Sequence, residues 1–213
     1  FGIKDVGGHA SPAFADADGD GDLDLFLGEY HGNTVFFRNT PASGATTPTY
    51  IQEGGNEPFG IADVGRFASP ALADIDGDGD LDLFIGEHYG KTLFFRNSAA
   101  PAATTPAYIQ EGGNEPLGIT DVGMIASPAF ADIDNDGDLD IFIGNYAGDT
   151  SYFRNTGSAS EPAFYTWVNH TIFGITDVGH YASPALADID DDGDLDLFIG
   201  NASGNTLLFR NTA

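Results

Sequence analysis

The sequence predicts an all-β fold, a β-propeller-like array of four blades of antiparallel strands. Three observations support this prediction: a long unit is repeated four times, each unit contains short apolar strands separated by turn residues, and the composition is that of a globular protein. The 213 residues are 41% hydrophobic and 12% aromatic, so the chain can bury a core and is not a disordered acidic tail.

The repeat can be followed almost letter by letter. The first aspartate of an acidic loop recurs as Asp16, Asp74, Asp132 and Asp188, at spacings of 58, 58 and 56 residues. One supersecondary unit has therefore been copied four times within a single repeat domain. The predicted units are residues 1–58, 59–116, 117–172 and 173–213. The spacer in the third unit has diverged and contains the only tryptophan, Trp167.

Within the first unit, each predicted element follows from a local signal. Residues 11–15 form a short strand, with a proline tolerated near its start. An acidic loop leads to a second strand over residues 23–28, and a Gly-Asn turn leads to a third over residues 34–38. After a spacer rich in Pro, Ala, Ser and Thr, residues 49–52 form the fourth. Helices are not predicted, because Gly and Pro interrupt every window that is long enough for one.

Four antiparallel strands per unit, with each sheet lying between its neighbours, describe a propeller blade. The second and third strands break strict alternation, as strands covered on both faces do. A β-solenoid is the alternative, but it usually has shorter repeats without hairpins. The last unit contains no segment equivalent to the fourth strand, so the last blade is expected to lack its outer strand. Either the gene product is longer, or a neighbouring chain donates the strand or covers the edge.

Each unit contains a nine-residue acidic loop, residues 16–24 in the first copy. Carboxylates at loop positions 1, 3, 5 and 9 with glycine at position 6 suit a hard cation, because alternate side chains point inward and glycine permits a left-handed turn. Position 7 is expected to offer its backbone carbonyl. The candidate ligands are Asp16, Asp18, Asp20, Asp22 and Asp24, then Asp74, Asp76, Asp78, Asp80 and Asp82, then Asp132, Asp134, Asp136, Asp138 and Asp140, and finally Asp188, Asp190, Asp192, Asp194 and Asp196.

These oxygen ligands predict one Ca²⁺ per repeat, four in all. Mg²⁺ is the second choice, because it requires a tighter octahedron and retains more water. The loop is not an EF-hand, since position 12 is an aliphatic residue within a strand instead of a glutamate. A solvated acidic turn without metal is the competing interpretation. However, four or five carboxylates in one short loop repel each other strongly unless a cation neutralises them.

The pattern Asp-x-Asp-x-Asp-Gly-x-x-Asp between two hydrophobic strands, followed by Phe-Ile-Gly and Phe-Phe-Arg-Asn, resembles the FG-GAP/VCBS repeat family. The resemblance covers all four units. It implies integrin-type calcium-binding propeller blades, which also occur in many secreted bacterial proteins, with Ca²⁺ in the loop between the first two strands. Propellers of this family commonly have six or seven blades, so the resemblance does not imply that four blades close a ring within one chain.

Composition excludes several classes of function. The 33 acidic residues against 7 basic ones give a formal net charge of −26, which disfavours nucleic acids and anionic membrane surfaces as partners. No apolar run is long enough to insert in a membrane. Cysteine is absent, which excludes disulfides, zinc–thiolate sites and thiol catalysis. The five histidines share no repeat position, and no nucleophile elbow, phosphate loop or dinucleotide motif is present, so an enzyme is not predicted.

Two further sets of residues outside the acidic loops are candidates for specific roles. Four arginines recur at the end of the third strand and are expected to form blade-to-blade ion pairs or backbone ties, with ligand anchoring as the alternative: Arg38, Arg96, Arg154 and Arg210. Their candidate partners are Asp5, Asp63, Asp121 and Asp177. The tips between the second and third strands vary among units, and their aromatic residues suit sugar rings or a protein surface, with sequence drift at unconstrained turns as the alternative.

The sequence thus predicts a non-enzymatic extracellular calcium-binding protein with a structural, adhesive or self-assembling role, including filament formation. The expected partners are copies of itself or neighbouring blades of a longer chain, and glycans. A carbohydrate-binding, lectin-like module is the alternative, and a hydrolase or lyase would need a polar cleft with perturbed carboxylates outside the loops. Asn169 and Asn201 match the N-glycosylation pattern, and the spacers 41–48 and 99–106 are candidates for O-glycosylation.

Overall fold

The computed structural model describes residues 2–100, 103–158, 160–167 and 174–211, with only the backbone of residues 166 and 167. Four antiparallel sheets are arranged as a four-bladed β-propeller, which confirms the predicted fold class. The described residues include two single-turn 3-10 helices, Pro58–Gly60 and Pro116–Gly118. No described helix is long and apolar enough to cross a membrane.

Three sheets have four strands and the fourth has three. The first blade contains β1 (Ser11–Ala15), β2 (Asp24–Gly28), β3 (Thr34–Asn39) and β4 (Tyr50–Glu53). The second contains β5 (Ser69–Ala73), β6 (Asp82–Gly86), β7 (Thr92–Asn97) and β8 (Tyr108–Glu111). The third contains β9 (Ser127–Ala131), β10 (Asp140–Gly144), β11 (Thr150–Asn155) and β12 (Phe164–Trp167). The fourth contains β13 (Ser183–Ala187), β14 (Asp196–Gly200) and β15 (Thr206–Phe209), and so lacks an outer strand among the described residues, as predicted.

Within each blade the strands pair in chain order, so every blade is an antiparallel meander. In the first blade, Ala15 at the end of β1 pairs with Asp24 at the start of β2, and the acidic loop joins these two ends. β3 then returns to the same end of the sheet, because Leu25 pairs with Phe37. The predicted strands of this blade agree with the observed ones to within one residue at each end.

The core lies between neighbouring blades. Phe26 and Phe36 of the first blade are fully buried and pack in one cluster with Ile61, Leu83 and Phe95 of the second. Equivalent clusters join the second blade to the third and the third to the fourth. Because both faces of a central strand contribute to such clusters, these strands read as continuous apolar runs.

We call the contact between two consecutive blades a junction. β1 packs against β5, β5 against β9 and β9 against β13, which gives three closed junctions. β13 and β1 make no comparable contact within the described part of the chain. The fourth junction, between the fourth blade and the first, is therefore open among the described residues. This agrees with the family resemblance, which does not imply that four blades close a ring. The predicted boundary between units three and four lies outside the described residues.

Candidate metal centre

Each acidic loop joins the last residue of the first strand of its blade to the first residue of the second strand. The position 1 aspartate organises the loop with both oxygens. In the first blade, Asp16 Oδ1 accepts hydrogen bonds from the amides of Gly19 (2.8 Å) and Asp20 (3.1 Å), and Oδ2 accepts one from Gly21 (2.9 Å). In the other three loops the position 1 aspartate accepts the same bonds from positions 5 and 6. Such bonds curl the backbone around the carboxylate.

Glycine at position 6 is required by the backbone. Gly21, Gly79, Gly137 and Gly193 have φ angles between 90° and 95°, a region that strains any residue with a Cβ. Position 4 is also left-handed, and there the residues are Gly19, Gly77, Asn135 and Asp191. Asn and Asp are the non-glycine residues that best tolerate this conformation. The left-handed turn predicted at position 6 is confirmed.

This turn brings together the carboxylates at positions 1, 3 and 5. In every loop, one oxygen from each of these aspartates lies within 4.8 Å of the others, close enough for all three to hold one metal ion. The triplets are Asp16, Asp18 and Asp20, then Asp74, Asp76 and Asp78, then Asp132, Asp134 and Asp136, and finally Asp188, Asp190 and Asp192. The structure therefore assembles three of the five predicted ligand positions in each loop.

The side chains at position 7 lie outside the triplets. The position 7 amide donates to the position 5 carboxylate, as Asp22 does to Asp20 Oδ1 over 2.9 Å. In the fourth blade, Asp194 Oδ1 accepts a hydrogen bond of 3.0 Å from Asn135 Nδ2, so this side chain connects two acidic loops. That position 7 offers its backbone carbonyl to the ion stays a prediction.

The position 9 aspartate fixes the loop to the third strand. It is buried at the start of the second strand, and its Oδ1 accepts the amide of the asparagine that follows the repeated arginine, at 2.7–2.8 Å in all four blades. Burial raises the pKa of Asp24 to about 6, of Asp82 to about 7 and of Asp140 to about 6, although these hydrogen bonds act in the opposite direction. Neighbouring loop carboxylates contribute to the raised pKa of all three groups.

Unpartnered carboxylate oxygens show that the second and fourth loops fit a cation. Oδ2 of Asp82 and of Asp196, both at position 9, is buried without a hydrogen-bond partner, and so is Oδ1 of Asp76 at position 3. Leaving such oxygens unsatisfied is costly, and a hard divalent cation would satisfy them. In the first and third blades, Oδ2 of position 9 instead accepts a bond from Ala17 N (3.3 Å) or from the Tyr152 hydroxyl (2.7 Å).

The repeated arginines contact the acidic loops of their own blades. Each pairs with the position 3 aspartate: Arg38 with Asp18, Arg96 with Asp76, Arg154 with Asp134 and Arg210 with Asp190. In the first two blades the arginine Nε also reaches a glutamate of the outer strand, Glu53 or Glu111, at 3.1 Å. Sequence reasoning missed the pairing of each arginine with the position 3 aspartate, although the two residues are always 20 positions apart.

The predicted pairing of these arginines across blades is therefore wrong. The proposed partners Asp5, Asp63, Asp121 and Asp177 instead accept the amide of the glycine two residues later, at 2.6–2.8 Å, and cap their own turns. The physical reason is the antiparallel meander, which returns the end of the third strand to the acidic loop. A guanidinium placed there meets a much higher density of carboxylates than it would at the Asp-Val-Gly turn.

The first residue of each variable tip belongs to the turn. Glu29 and Glu87 are buried and accept amide hydrogen bonds from their own tips, and Asn145 and Asn201 do the same. Burial acts to raise the pKa of Glu29, but hydrogen bonds from His31 and Asn33 outweigh it and the pKa is lowered. Tyr30 packs on Phe67 across the first junction, with ring centroids 4.9 Å apart, whereas Tyr89 is 69% exposed.

Of the two predicted N-glycosylation sites, Asn169 lies outside the described residues, together with His170. The side chain of Asn201 is engaged in the fold, since its Nδ2 donates a hydrogen bond of 2.6 Å to the carbonyl of Val178. A glycan on this nitrogen would displace that bond.

A comparison with curated proteins found no match. The model of the FG-GAP-like repeat family matches residues 16–85, 74–143 and 132–199. Each match begins at position 1 of one acidic loop and extends into the strand that follows the next loop, so the three matches include all four loops and all four triplets. Together they cover residues 16–199, well over half of the chain, and the chain therefore belongs to the FG-GAP repeat family.

Proposed function

We propose that this chain is a calcium-binding structural protein in which one Ca²⁺ per acidic loop, four in all, stabilises the blades. The supporting observation is that the same carboxylate triplet recurs in every loop, and that the second and fourth loops also contain buried carboxylate oxygens that lack a partner. The triplet would bind the ion together with the position 7 carbonyl and the position 9 carboxylate. Binding would replace carboxylate repulsion by attraction and so contribute directly to folding.

We further propose an extracellular location and a structural, adhesive or self-assembling role, with copies of the chain as partners. FG-GAP repeats typically form non-catalytic structural folds and are commonly extracellular, which supports this assignment. Catalysis has less support, because every carboxyl group with a raised pKa in the described part of the chain belongs to an acidic loop.

Calcium titration of the metal-free protein tests this function. We expect isothermal titration calorimetry to give four bound Ca²⁺ and the melting temperature to rise with calcium. Asp134→Asn removes a carboxylate from the third triplet and should reduce the stoichiometry to three, whereas Asp121→Asn makes the same charge change in a turn outside the loops and should leave four. Absence of calcium binding would contradict the proposal, and equal stabilisation by Mg²⁺ would contradict the choice of ion.

A second candidate function, carbohydrate binding, is favoured by the cavity at the centre of the blades. Its volume is about 250 Å³, and its lining includes one serine from each innermost strand together with Phe67 and Tyr181. Serine hydroxyls could bond to sugar hydroxyls while aromatic faces stack on the ring. Thermal shift with mono- and oligosaccharides tests this function. A sugar that stabilises the chain should lose its effect in Phe67→Ala but not in Tyr89→Ala, and stabilisation by no sugar would count against it.

A further inference from the structure

The three closed junctions share one set of backbone hydrogen bonds. At each of them, three amides of the later blade donate to three carbonyls in the tip of the earlier blade, over 2.9–3.1 Å. At the first junction, the amides of Val64, Phe67 and Ala68 donate to the carbonyls of Gly32, Tyr30 and Glu29, respectively. At the second, Val122, Ile125 and Ala126 donate to Gly90, His88 and Glu87. At the third, Val178, Tyr181 and Ala182 donate to Gly148, Tyr146 and Asn145. The interface between blades is therefore a repeated, directional contact.

The open junction has both halves of this contact, but the described residues form none of its bonds. On the first blade the equivalent amides are those of Val6, His9 and Ala10, and none of them makes a bond to another blade among the described residues. On the fourth blade the carbonyls of Ala202 and Gly204 likewise accept no bond from another blade. The first blade is already shaped for an earlier neighbour, and the fourth for a later one.

His9 shows this preorganisation in its backbone. Its φ angle of 55° is left-handed, as in Phe67 (56°), Ile125 (60°) and Tyr181 (61°), which hold the same position in the other blades. Such an angle is strained for a residue with a side chain. At the closed junctions the amide of this residue bonds to the preceding blade, which offsets the strain. His9 has the same strained conformation, but its amide bonds to no other blade in the part of the chain that the structure describes.

The apolar side chains of the open junction are exposed where their equivalents are buried. Leu208 on the fourth blade is 47% exposed, whereas Phe36 and Phe94 at the same repeat position are at most 1% exposed. On the first blade, Ile3 is 43% exposed while its equivalent Ile61 is fully buried. Each face therefore presents apolar surface of the kind that the closed junctions bury.

Gly200 provides a test position on the fourth blade. At its equivalents Gly28, Gly86 and Gly144, a Cβ would overlap the carbonyl oxygen of an alanine in the next blade. At Gly200 the nearest atom that a Cβ would meet is Ser183 O of its own blade, 3.9 Å away. The chain thus leaves room at Gly200 for a close approach that no described residue makes.

From these equivalences we propose that the fourth blade of one copy docks on the first blade of a second copy, through the contacts of the closed junctions. A second copy is the partner because the chain already builds this interface three times and each open face is one half of it. The inference rests on the structural role proposed above, and names its partner and surface. Such head-to-tail contacts between copies form a ring when the rotation at each junction closes it. A contact that fails to close would extend into a filament.

The mass of the particle in calcium, measured by light scattering over a range of concentrations, tests the proposal with Gly200→Ala as the key variant. We expect wild-type chains to form dimers or larger species and Gly200→Ala to remain monomeric. At concentrations too low for assembly, the two should have the same melting temperature. Gly8→Ala is the control, because Arg66, Met124 and His180 show that a side chain fits at that repeat position. Wild-type chains that stay monomeric, or a Gly200→Ala variant that assembles as wild type does, would overturn the proposal.

Cysteine crosslinking identifies the surfaces, since the chain has no native cysteine. At the first junction Ser11 Oγ lies 3.2 Å from Ser69 Oγ, so Ser183 of one copy should meet Ser11 of the next. Oxidation of mixed Ser11→Cys and Ser183→Cys single variants should give covalent heterodimers, and a mixture of Ser69→Cys and Ser183→Cys should not. A disulfide that forms only within one chain of the Ser11→Cys/Ser183→Cys double variant would show that the ring closes on itself and would overturn the proposal.

Calcium titration of the same samples separates this inference from the proposed function. Chains that bind four Ca²⁺ but remain monomeric would overturn the interface alone. Chains that bind no Ca²⁺ but assemble, and lose assembly in Gly200→Ala, would overturn the calcium assignment and support the interface.

Discussion

Arg96 places a positive charge on the position 3 carboxylate of the second loop, where a bound cation would place another. Its guanidinium pairs with Asp76 and Glu111 and lies 5.3 Å from the centroid of the Phe94 ring. Without metal the arginine partly neutralises the triplet. With metal bound, like charges repel across the loop. The arginine and the ion therefore have opposite effects on calcium affinity and on the stability of the metal-free protein.

Replacing Arg96 by glutamine should separate these two effects. We expect Arg96→Gln to lower the free energy of unfolding in chelator by about 1 kcal/mol, the upper range for a partly exposed ion pair. We expect the calcium affinity of the second loop to rise several-fold, because a competing positive charge is removed. Denaturant unfolding in chelator and calorimetric titration measure the two quantities.

Arg66→Gln is the matched control. The substitution removes the same charge, but Arg66 lies over the Tyr30 ring and away from the acidic loops. It should alter neither quantity appreciably. Weaker calcium binding in Arg96→Gln than in the control would show that the arginine supports the ion instead of competing with it.

For single residues, the sequence was sufficient to predict that the three carboxylates of each triplet lie close together, because their spacing within one short loop determines their proximity. It also predicted the left-handed glycine at position 6, since only local backbone geometry is involved. It was insufficient for Arg38 and its equivalents, whose partner depends on where the third strand ends in the folded sheet. The second role of Asp24, accepting the amide of Asn39, depends on the same long-range placement.

At the scale of the strand, the glycine that ends each second strand sets how closely two blades approach. A Cβ at Gly86 would overlap Ala126 O and lie 2.9 Å from the Pro128 ring, whereas at the equivalent Gly200 the nearest atom is Ser183 O at an ordinary contact distance of 3.9 Å. The same substitution at these two positions therefore compares a closed junction with an open one in the same local structure.

We expect Gly86→Ala to lower the free energy of unfolding by about 1–3 kcal/mol, as overpacking usually does. Gly200→Ala should change it by less than about 0.5 kcal/mol, because the added methyl group overlaps no described atom. Urea unfolding at concentrations too low for assembly measures both values. Equal destabilisation by the two variants would show that the strand itself, and not the junction, requires glycine.

The strands could be predicted from sequence because their apolar runs and turn residues are local signals. The junctions could not, because identical units give no indication of which neighbour each face meets. Phe26 and Leu208 occupy faces of the same kind, yet one is fully buried and the other is exposed. Their difference arises only from the position of the unit in the array.

At the scale of the whole molecule, stability should vary along the array. Each blade contacts only its neighbours, so its stability depends on its own sheet and on its closed junctions. The second and third blades have two closed junctions each, while the fourth has one closed junction and three strands. With a net charge of −26, mutual repulsion acts on every blade until cations reduce it, and the least packed blade is the most sensitive.

Hydrogen exchange should therefore show that the fourth blade opens first. In the Gly200→Ala background, where assembly cannot protect it, we expect amides of β14 to exchange faster than those of β6 and β10. Asp190→Asn, which removes a carboxylate from the fourth triplet, should accelerate exchange in the fourth blade alone. Asp76→Asn, the same change in the second triplet, should accelerate exchange less, because the second blade has two closed junctions that support it. If Asp190→Asn reduced the protection of β6 as much as that of β14, the blades would unfold as one cooperative unit, and the open junction would have no influence on the order of opening.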